Sequence, residues 1–221
     1  MSNNDYHLNV ILLAAGKSER FNGIKLLSEV SNKQTLIATS ELKEHPSTLI
    51  EQVLNQLGNA LYELNIADNN LQVATGLYHQ QLSALIGDRY HIHYCENAHL
   101  GLGHTIAQSV SEILEAQGTA KPSHIMIALA DQVALTADDY IRLIEQSQST
   151  PDKLVCAQAE QELMPPAIFP QRYFKELTTL HGDKGAKALL HKNKENLQPV
   201  LLNSAAIDID TQQDLIDWLD R

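Results

Sequence analysis

The stretch 8–14 (LNVILLA) carries almost no polar side chain and stops abruptly at Ala15-Gly16. A strand with one face in water alternates polar and apolar residues. A run apolar along nearly its whole length fits a strand covered on both faces, as in a parallel sheet flanked by helices. Further runs of strand length follow at 71–75, 91–94, 124–128 and 153–157, with a late one around 205–209. Between them, segments 48–57, 78–86, 105–116, 137–146 and 184–191 place apolar residues at helical spacing. Tyr140, Leu143 and Ile144 share one face behind the capping signal Thr136-Ala137-Asp138-Asp139. Thr211-Gln212-Gln213-Asp214 opens a last helix in the same way. Strands alternating with helices predict βαβ units, hence an α/β fold of three layers around a mainly parallel sheet.

The 221 residues suffice for one domain with a sizeable core, and a single domain over 1–221 is expected. Residues 28–47 are polar and poorly patterned, and read as a surface excursion. No run approaches the length of a membrane span, and the polar start MSNNDYHLN lacks the pattern of a secretory signal. Cys95 and Cys156 form no CxxC pair, so neither a disulfide framework nor a zinc site is expected; both read as small apolar residues at strand ends. Most of the ten histidines, His91 and His93 among them, read as exposed. These features predict a cytoplasmic protein without membrane contact. A net charge of −11 argues against a nucleic-acid binder. An acidic protein that binds an anion must concentrate its few cations locally.

Such a concentration follows the first strand. In open α/β sheets the carboxyl ends of strands form the ligand crevice. Leu13, Ala14, Ala15 and Gly16 leave the strand with side chains too small to block a close backbone approach, and Lys17, Ser18, Arg20 and Lys25 follow. Consecutive amides in such a turn can face an anion. Arg20 offers a planar fork to phosphate oxygens, and Lys25 a mobile point charge. Neither GxxxxGK[ST] nor GxGxxG is present.

Four other places carry chemistry-bearing residues. The apolar run 125–130 ends in Asp131-Gln132, a carboxylate that suits either a helix cap or Mg²⁺. Asp208 and Asp210 alternate with Ile207 and Ile209, so an extended chain would put both on one side. The glycine-rich turn from Asn97 through Gly101, Gly103, His104 and Thr105 precedes a helix and offers amides to a phosphate or base. Last, 164–170 (MPPAIFP) is followed by Gly182-Asp183-Lys184-Gly185-Ala186.

LAAGxSxR with a later Gly-x-Lys resembles the LAAGxSxRMGxxK loop of MobA-like nucleotidyltransferases, with Asn22-Gly23 where the family has one glycine first. LADQ resembles LADxP, with Val133 in place of proline, and DIDTQQDL resembles DIDTPEDL. The turn 97–105 is similar to NPxxxxGxxxS, with Ala98 for proline, and 180–187 to LxGDxGAR, with Lys187 for arginine. Together these segments run from 10 to about 216 in the family's order. The last two point to the molybdenum cofactor cytidylyltransferases, although Met164-Pro165 replaces the Gly-His expected before Pro166.

The resemblance implies a Rossmann-like nucleotidyltransferase fold, Mg²⁺ as cofactor, and transfer of CMP from CTP to a molybdopterin-type acceptor. It implies that residues 13–18, Arg20 and Lys25 bind the triphosphate, with Arg20, Lys25 and Asp131 catalytic. Asp131 with Asp210, or Asp208, would hold the metal. Thr75-Gly76, Asn97, Gly101, Gly103, His104 and Thr105 would border base and ribose. Pro166, Gly182, Asp183, Gly185 and Ala186 would shape the acceptor pocket, and a molybdoenzyme or its maturation factor would be a partner. Another phosphorylated acceptor, such as a sugar or polyol phosphate, and a carrier that binds without turnover are the alternatives. As a metal ligand among carboxylates, Asp131 should be replaceable by Asn at no cost to stability.

Overall fold

The apolar run at the start of the chain is the middle of the sheet. β1 (Leu8–Ala14) lies between β2 (Leu71–Thr75) and β4 (His124–Leu129), parallel to both, and β3 (His91–Tyr94) extends β2 in parallel. A computed structural model describes residues 6–21, 23–30, 47–67, 70–116, 121–183 and 185–220. With β5 (Leu154–Ala159), β6 (Glu162–Pro170) and β7 (Leu197–Leu201), the strand order is β3-β2-β1-β4-β6-β5-β7. β6 runs antiparallel to both β4 and β5, whereas β7 is parallel to β5.

Alternate residues of β1 serve two cores, which explains why nearly all of them are apolar. Val10, Leu12 and Ala14 join the cluster built on α1 (Leu49–Glu63), α2 (His79–Ile86) and α4 (Ala137–Ser149). Ile11 and Leu13 join the cluster built on α3 (Leu102–Glu115), α5 (Phe174–Leu177) and α6 (Lys187–Lys192). The result is helix, sheet, helix. α7 (Gln212–Leu219) packs Leu215 and Trp218 against the first cluster. Reciprocal capping boxes start three helices: Thr48 with Glu51, Thr136 with Asp139, and Thr211 with Asp214.

Three expectations from sequence change. Residues 205–209 are not a strand: a 3₁₀ turn covers Asn203–Ala206, and Ile209 is buried without a ladder neighbour. β6 and β7 carry prolines and are not among the runs of strand length read in the sequence. In β6 the register with β5 jumps from Ala167 to Met164, so the cis-linked Pro165-Pro166 pair has no β5 partner and loses no ladder bond. In β7 Pro199 sits on the edge strand, where its missing N–H can face away from the sheet. His93 is buried rather than exposed, with its Nε2 2.9 Å from Ser109 Oγ under α3. Both cysteines are buried and free, Cys156 within β5 rather than at its end. Most of the 28–47 excursion, and Asn22, lie outside the described residues.

Candidate active site

Beyond β1 the chain turns sharply. Ser18 adopts φ +53°, and the Phe21 N–H donates to its carbonyl at 2.9 Å. The buried Phe21 and Leu26 anchor the loop, with Arg20 and Lys25 beside them. Tyr78 Oη donates to the Lys17 carbonyl at 3.2 Å and braces the other side. Lys25 opens a short 3₁₀ turn, Lys25–Leu27, and its side chain is only 10% exposed. A buried ammonium is costly unless paired. Lys25 Nζ lies 2.8 Å from Asp131 Oδ2 and 3.2 Å from Asp210 Oδ1. Arg20 pairs with the other oxygen of Asp210.

Asp131 leaves β4 beside β1, where the Ala130 N–H donates to the Leu13 carbonyl at 3.1 Å. Its Oδ1 is buried and has no hydrogen-bond partner among the described residues. Asp210 is set from the opposite direction. Asp214 Oδ2 accepts from the amides of Asp210 and Thr211 at 3.1 and 2.6 Å, and the Ile209 N–H donates to the Asp131 carbonyl at 3.2 Å. The Thr211 hydroxyl, partly offset by burial, and the two amides hold the Asp214 carboxyl below its ordinary pKa. Asp208 is exposed, yet the protein around its carboxyl raises its pKa, and the charges of Asp210 and Asp131 add to that. Two cations therefore face three carboxylates. The three do not close into a compact ligand set among the described residues; Asp131 and Asp210, bridged by Lys25, are the pair that converge.

Next to this pair opens a cleft of about 620 Å³, lined among others by Gly16, Lys17, Arg20, Gly101, Asp183 and Asp210. Its far wall joins two segments distant in sequence. The Gly103 N–H donates to the Gly182 carbonyl at 2.8 Å, and His104 Nδ1 accepts from the Gly182 N–H at 3.2 Å. A Cβ on Gly103 would lie 2.7–2.8 Å from the His181 backbone, so this helix start docks only as glycine. Gly101 has φ +113°, where a side chain is strained. A smaller recess of about 120 Å³ lies between Ala15, Lys17, Gly76, Tyr94 and Ala98.

The expected site residues fall into distinct places. Gly16, Lys17, Arg20, Gly101, Thr105, Asp183 and Asp210 line the cleft; Ala15 lines both cleft and recess, and Gly76 the recess. Leu13, Ala14 and Thr75 are buried behind it, the Thr75 hydroxyl donating to the His93 carbonyl at 2.9 Å. Ser18, Gly103, His104, Gly182, Gly185 and Ala186 shape the walls without lining the cleft. Asn97 is exposed and Pro166 is buried in β6; neither lines the cleft. Gln132 was missed. Buried, it donates through Nε2 to the carbonyls of Pro165 and Ala205 at 2.9 and 2.7 Å, tying the Asp131 turn to β6 and to the approach of Asp210. Its place directly after the strand-end Asp was the available signal.

The fold is the α/β fold of nucleotidyltransferases. The chain belongs to the MobA-like NTP transferase domain family, whose model matches residues 10–197. No curated protein matches it. Among solved structures it is similar to Rv0371c from Mycobacterium tuberculosis H37Rv, at 19% identity and TM-score 0.75 over 98% of both chains. It is also similar to the Rv0371c complex with manganese, at 16% identity and TM-score 0.69 over 98% of this chain and 99% of that one. A third likeness is to 4-diphosphocytidyl-2C-methyl-D-erythritol synthase from Anaerococcus prevotii, at 10% identity and TM-score 0.68 over 98% and 96%. At these identities the likenesses establish the fold. No helix among the described residues is long and apolar enough to cross a membrane.

Proposed function

We propose that this nucleotidyltransferase moves CMP from CTP to the terminal phosphate of a molybdopterin-type acceptor, with release of pyrophosphate. The observation that carries the reading is the meeting of Lys25 and Arg20 with Asp131 and Asp210 at the rim of a cleft whose floor is the small-residue loop after β1. Cations paired with carboxylates can turn to phosphate oxygens. A protein that merely carried a nucleotide would have no need of both carboxylates as well.

Divalent-metal binding fits the residues present. Asp131 Oδ1 is a buried, unpartnered hard donor, and Asp210 lies across Lys25 from it. Such oxygen donors suit Mg²⁺, which keeps one or two carboxylates plus phosphate oxygens. When bound, Mg²⁺ supplies charge neutralisation on the triphosphate. The amides from Ala14 to Ser18 hold the phosphates. An acceptor phosphate oxygen attacks the α-phosphorus, the bond to the β-bridging oxygen breaks, and Arg20 and Lys25 stabilise the departing pyrophosphate. The chain's contribution is alignment and charge. Gly76 and the 97–105 turn border the base. Asp183 and the 182–186 turn face the acceptor. Hand-over of product to a molybdoenzyme or its maturation factor, in the cytoplasm, completes the reading.

A second acceptor class has one observation in its favour. Pro166, expected at the acceptor pocket, is buried in β6, and a neighbour of this fold is named for a methylerythritol product. A phosphorylated polyol is therefore the competing acceptor. Pyrophosphate release measured with each of the four NTPs and Mg²⁺, with molybdopterin or with a polyol phosphate, separates these readings. Release with CTP and molybdopterin alone is expected. A preference for GTP would overturn the cytidylyl assignment, and release only with the polyol phosphate would select the second acceptor.

A further inference from the structure

On the edge of the sheet, away from Asp131, two imidazoles and one carboxylate face one another. His91 and His93, two apart on β3, project to the same side of the sheet. Glu112 on α3 stands over them, one turn beyond Ser109. His91 Nε2 lies 3.5 Å from Glu112 Oε1, and His93 Nε2 lies 3.6 Å from Glu112 Oε2. The three ligand atoms lie within 4.8 Å of one another. We propose that His91, His93 and Glu112 form a binding site for a borderline transition-metal ion, Zn²⁺ above all, that clips β3 to α3.

The spacing admits a metal. A charge-assisted N–H···O⁻ bond closes to about 2.7–2.9 Å, shorter than either His–Glu separation. Ligands about 2.0–2.2 Å from a tetrahedral zinc stand about 3.3–3.5 Å apart, and each imidazole lies near that distance from one of the two Glu112 oxygens. The His93 side chain is almost wholly buried beneath α3, with Nε2 turned toward Glu112. In the metal-free protein, Ser109 Oγ donates to the Thr105 carbonyl at 2.8 Å, which leaves it to accept from His93 Nε2–H at 2.9 Å. Ligation through Nε2 moves that proton to Nδ1, which is buried and has no partner among the described residues, a cost that the metal bond must exceed. His91 is exposed and Glu112 half-buried, so solvent supplies the entry path and the fourth ligand. Cys95 Sγ is buried 3.2 Å from His93 Nε2 and stands outside the three-residue group. Two imidazoles favour zinc, nickel, cobalt or copper over the hard cations suited to Asp131 and Asp210.

Calorimetric titration with Zn²⁺, paired with visible absorption on Co²⁺ loading, tests the site in the full chain. Wild type and Asp131→Asn should both bind one equivalent of Zn²⁺ that displaces Co²⁺ with tetrahedral-type bands. His91→Ala, at an exposed position, and Glu112→Gln, which keeps the size of a half-buried side chain, should keep the melting temperature of the metal-free protein. They should lose the bands and about tenfold or more of the Zn²⁺ affinity. No Zn²⁺ binding, equal affinity in these variants, or bands that vanish in Asp131→Asn alone would each overturn the assignment.

Discussion

The ammonium of Lys25, on the loop after β1, lies 2.8 Å from Asp131 Oδ2 at the end of β4, and the lysine is the more buried partner. The sequence alone makes Asp131 one of several repelling carboxylates, whose replacement by Asn should be free. The contact reverses that expectation. Asp131→Asn leaves the ammonium with Asp210 alone and should cost about 1–3 kcal/mol of stability. Turnover should fall by orders of magnitude. Adding Lys25→Met should restore part of the stability but none of the activity. Denaturant unfolding of wild type and the two variants with a Mg²⁺ titration of turnover checks this, and an Asp131→Asn protein as stable as wild type would refute the coupling.

Arg20 differs from Lys25 in exposure, its side chain being 71% accessible. Arg20→Lys should therefore leave the melting temperature unchanged. It loses the planar fork, and kcat should drop on the order of ten- to a hundredfold. Steady-state kinetics with CTP decide the matter; an unaltered kcat removes Arg20 from the chemistry.

Two glycines of the cleft should respond to alanine in opposite ways. At Gly16 a Cβ meets nothing within 4 Å, because the space beside it is the cleft. Gly16→Ala should fold normally and bind CTP more weakly. At Gly103 the Cβ runs into the His181 backbone. Gly103→Ala should lose about 1–3 kcal/mol through displacement of the α3 start. Thermal melts with CTP titrations on both variants test the contrast; loss of stability at Gly16 would place the phosphate loop elsewhere.

His124 makes stability depend on pH. Burial, opposed in part by the Pro151 carbonyl and by Asp152, lowers its pKa below the ordinary 6.5. The ring stacks on Tyr6 at 4.3 Å, donates from Nε2 to the Pro151 carbonyl at 2.9 Å, and has Ser123 Oγ 2.8 Å from Nδ1. Between the folded and unfolded pKa values the unfolded chain binds more protons. Its stabilising contribution is therefore complete above 6.5 and is lost as pH falls through the lower folded value. Melting temperatures from about pH 7 to about pH 5 should decline in wild type and decline less in His124→Gln. Equal slopes would dismiss the role of His124.

Much of the site was legible because its parts are local. Small residues after an apolar run, a carboxylate closing another run, and a Thr-x-x-Asp helix start each declare themselves within a few positions. Gln132 did not, because its two acceptors are carbonyls of Pro165 and Ala205, distant in sequence. Nor did the burial of His93, which depends on α3 covering β3.

The sequence by itself determined the bounds of β1 and β2, since strands paired in parallel beside helices need apolar residues and end where small or turn residues begin. It also determined which side chains could carry charge to the strand ends. Tertiary structure alone decided that Pro165-Pro166 sits inside a strand, where a register jump removes the need for its N–H groups. It also decided that Lys25 joins Asp131, 106 residues away, to Asp210, 185 away, rather than to Asp208. Alternation along residues 207–210 cannot distinguish the two carboxylates. The capping bond from the Asp210 amide to Asp214 and the burial of Ile209 turn Asp210 toward the buried ammonium and leave Asp208 in solvent.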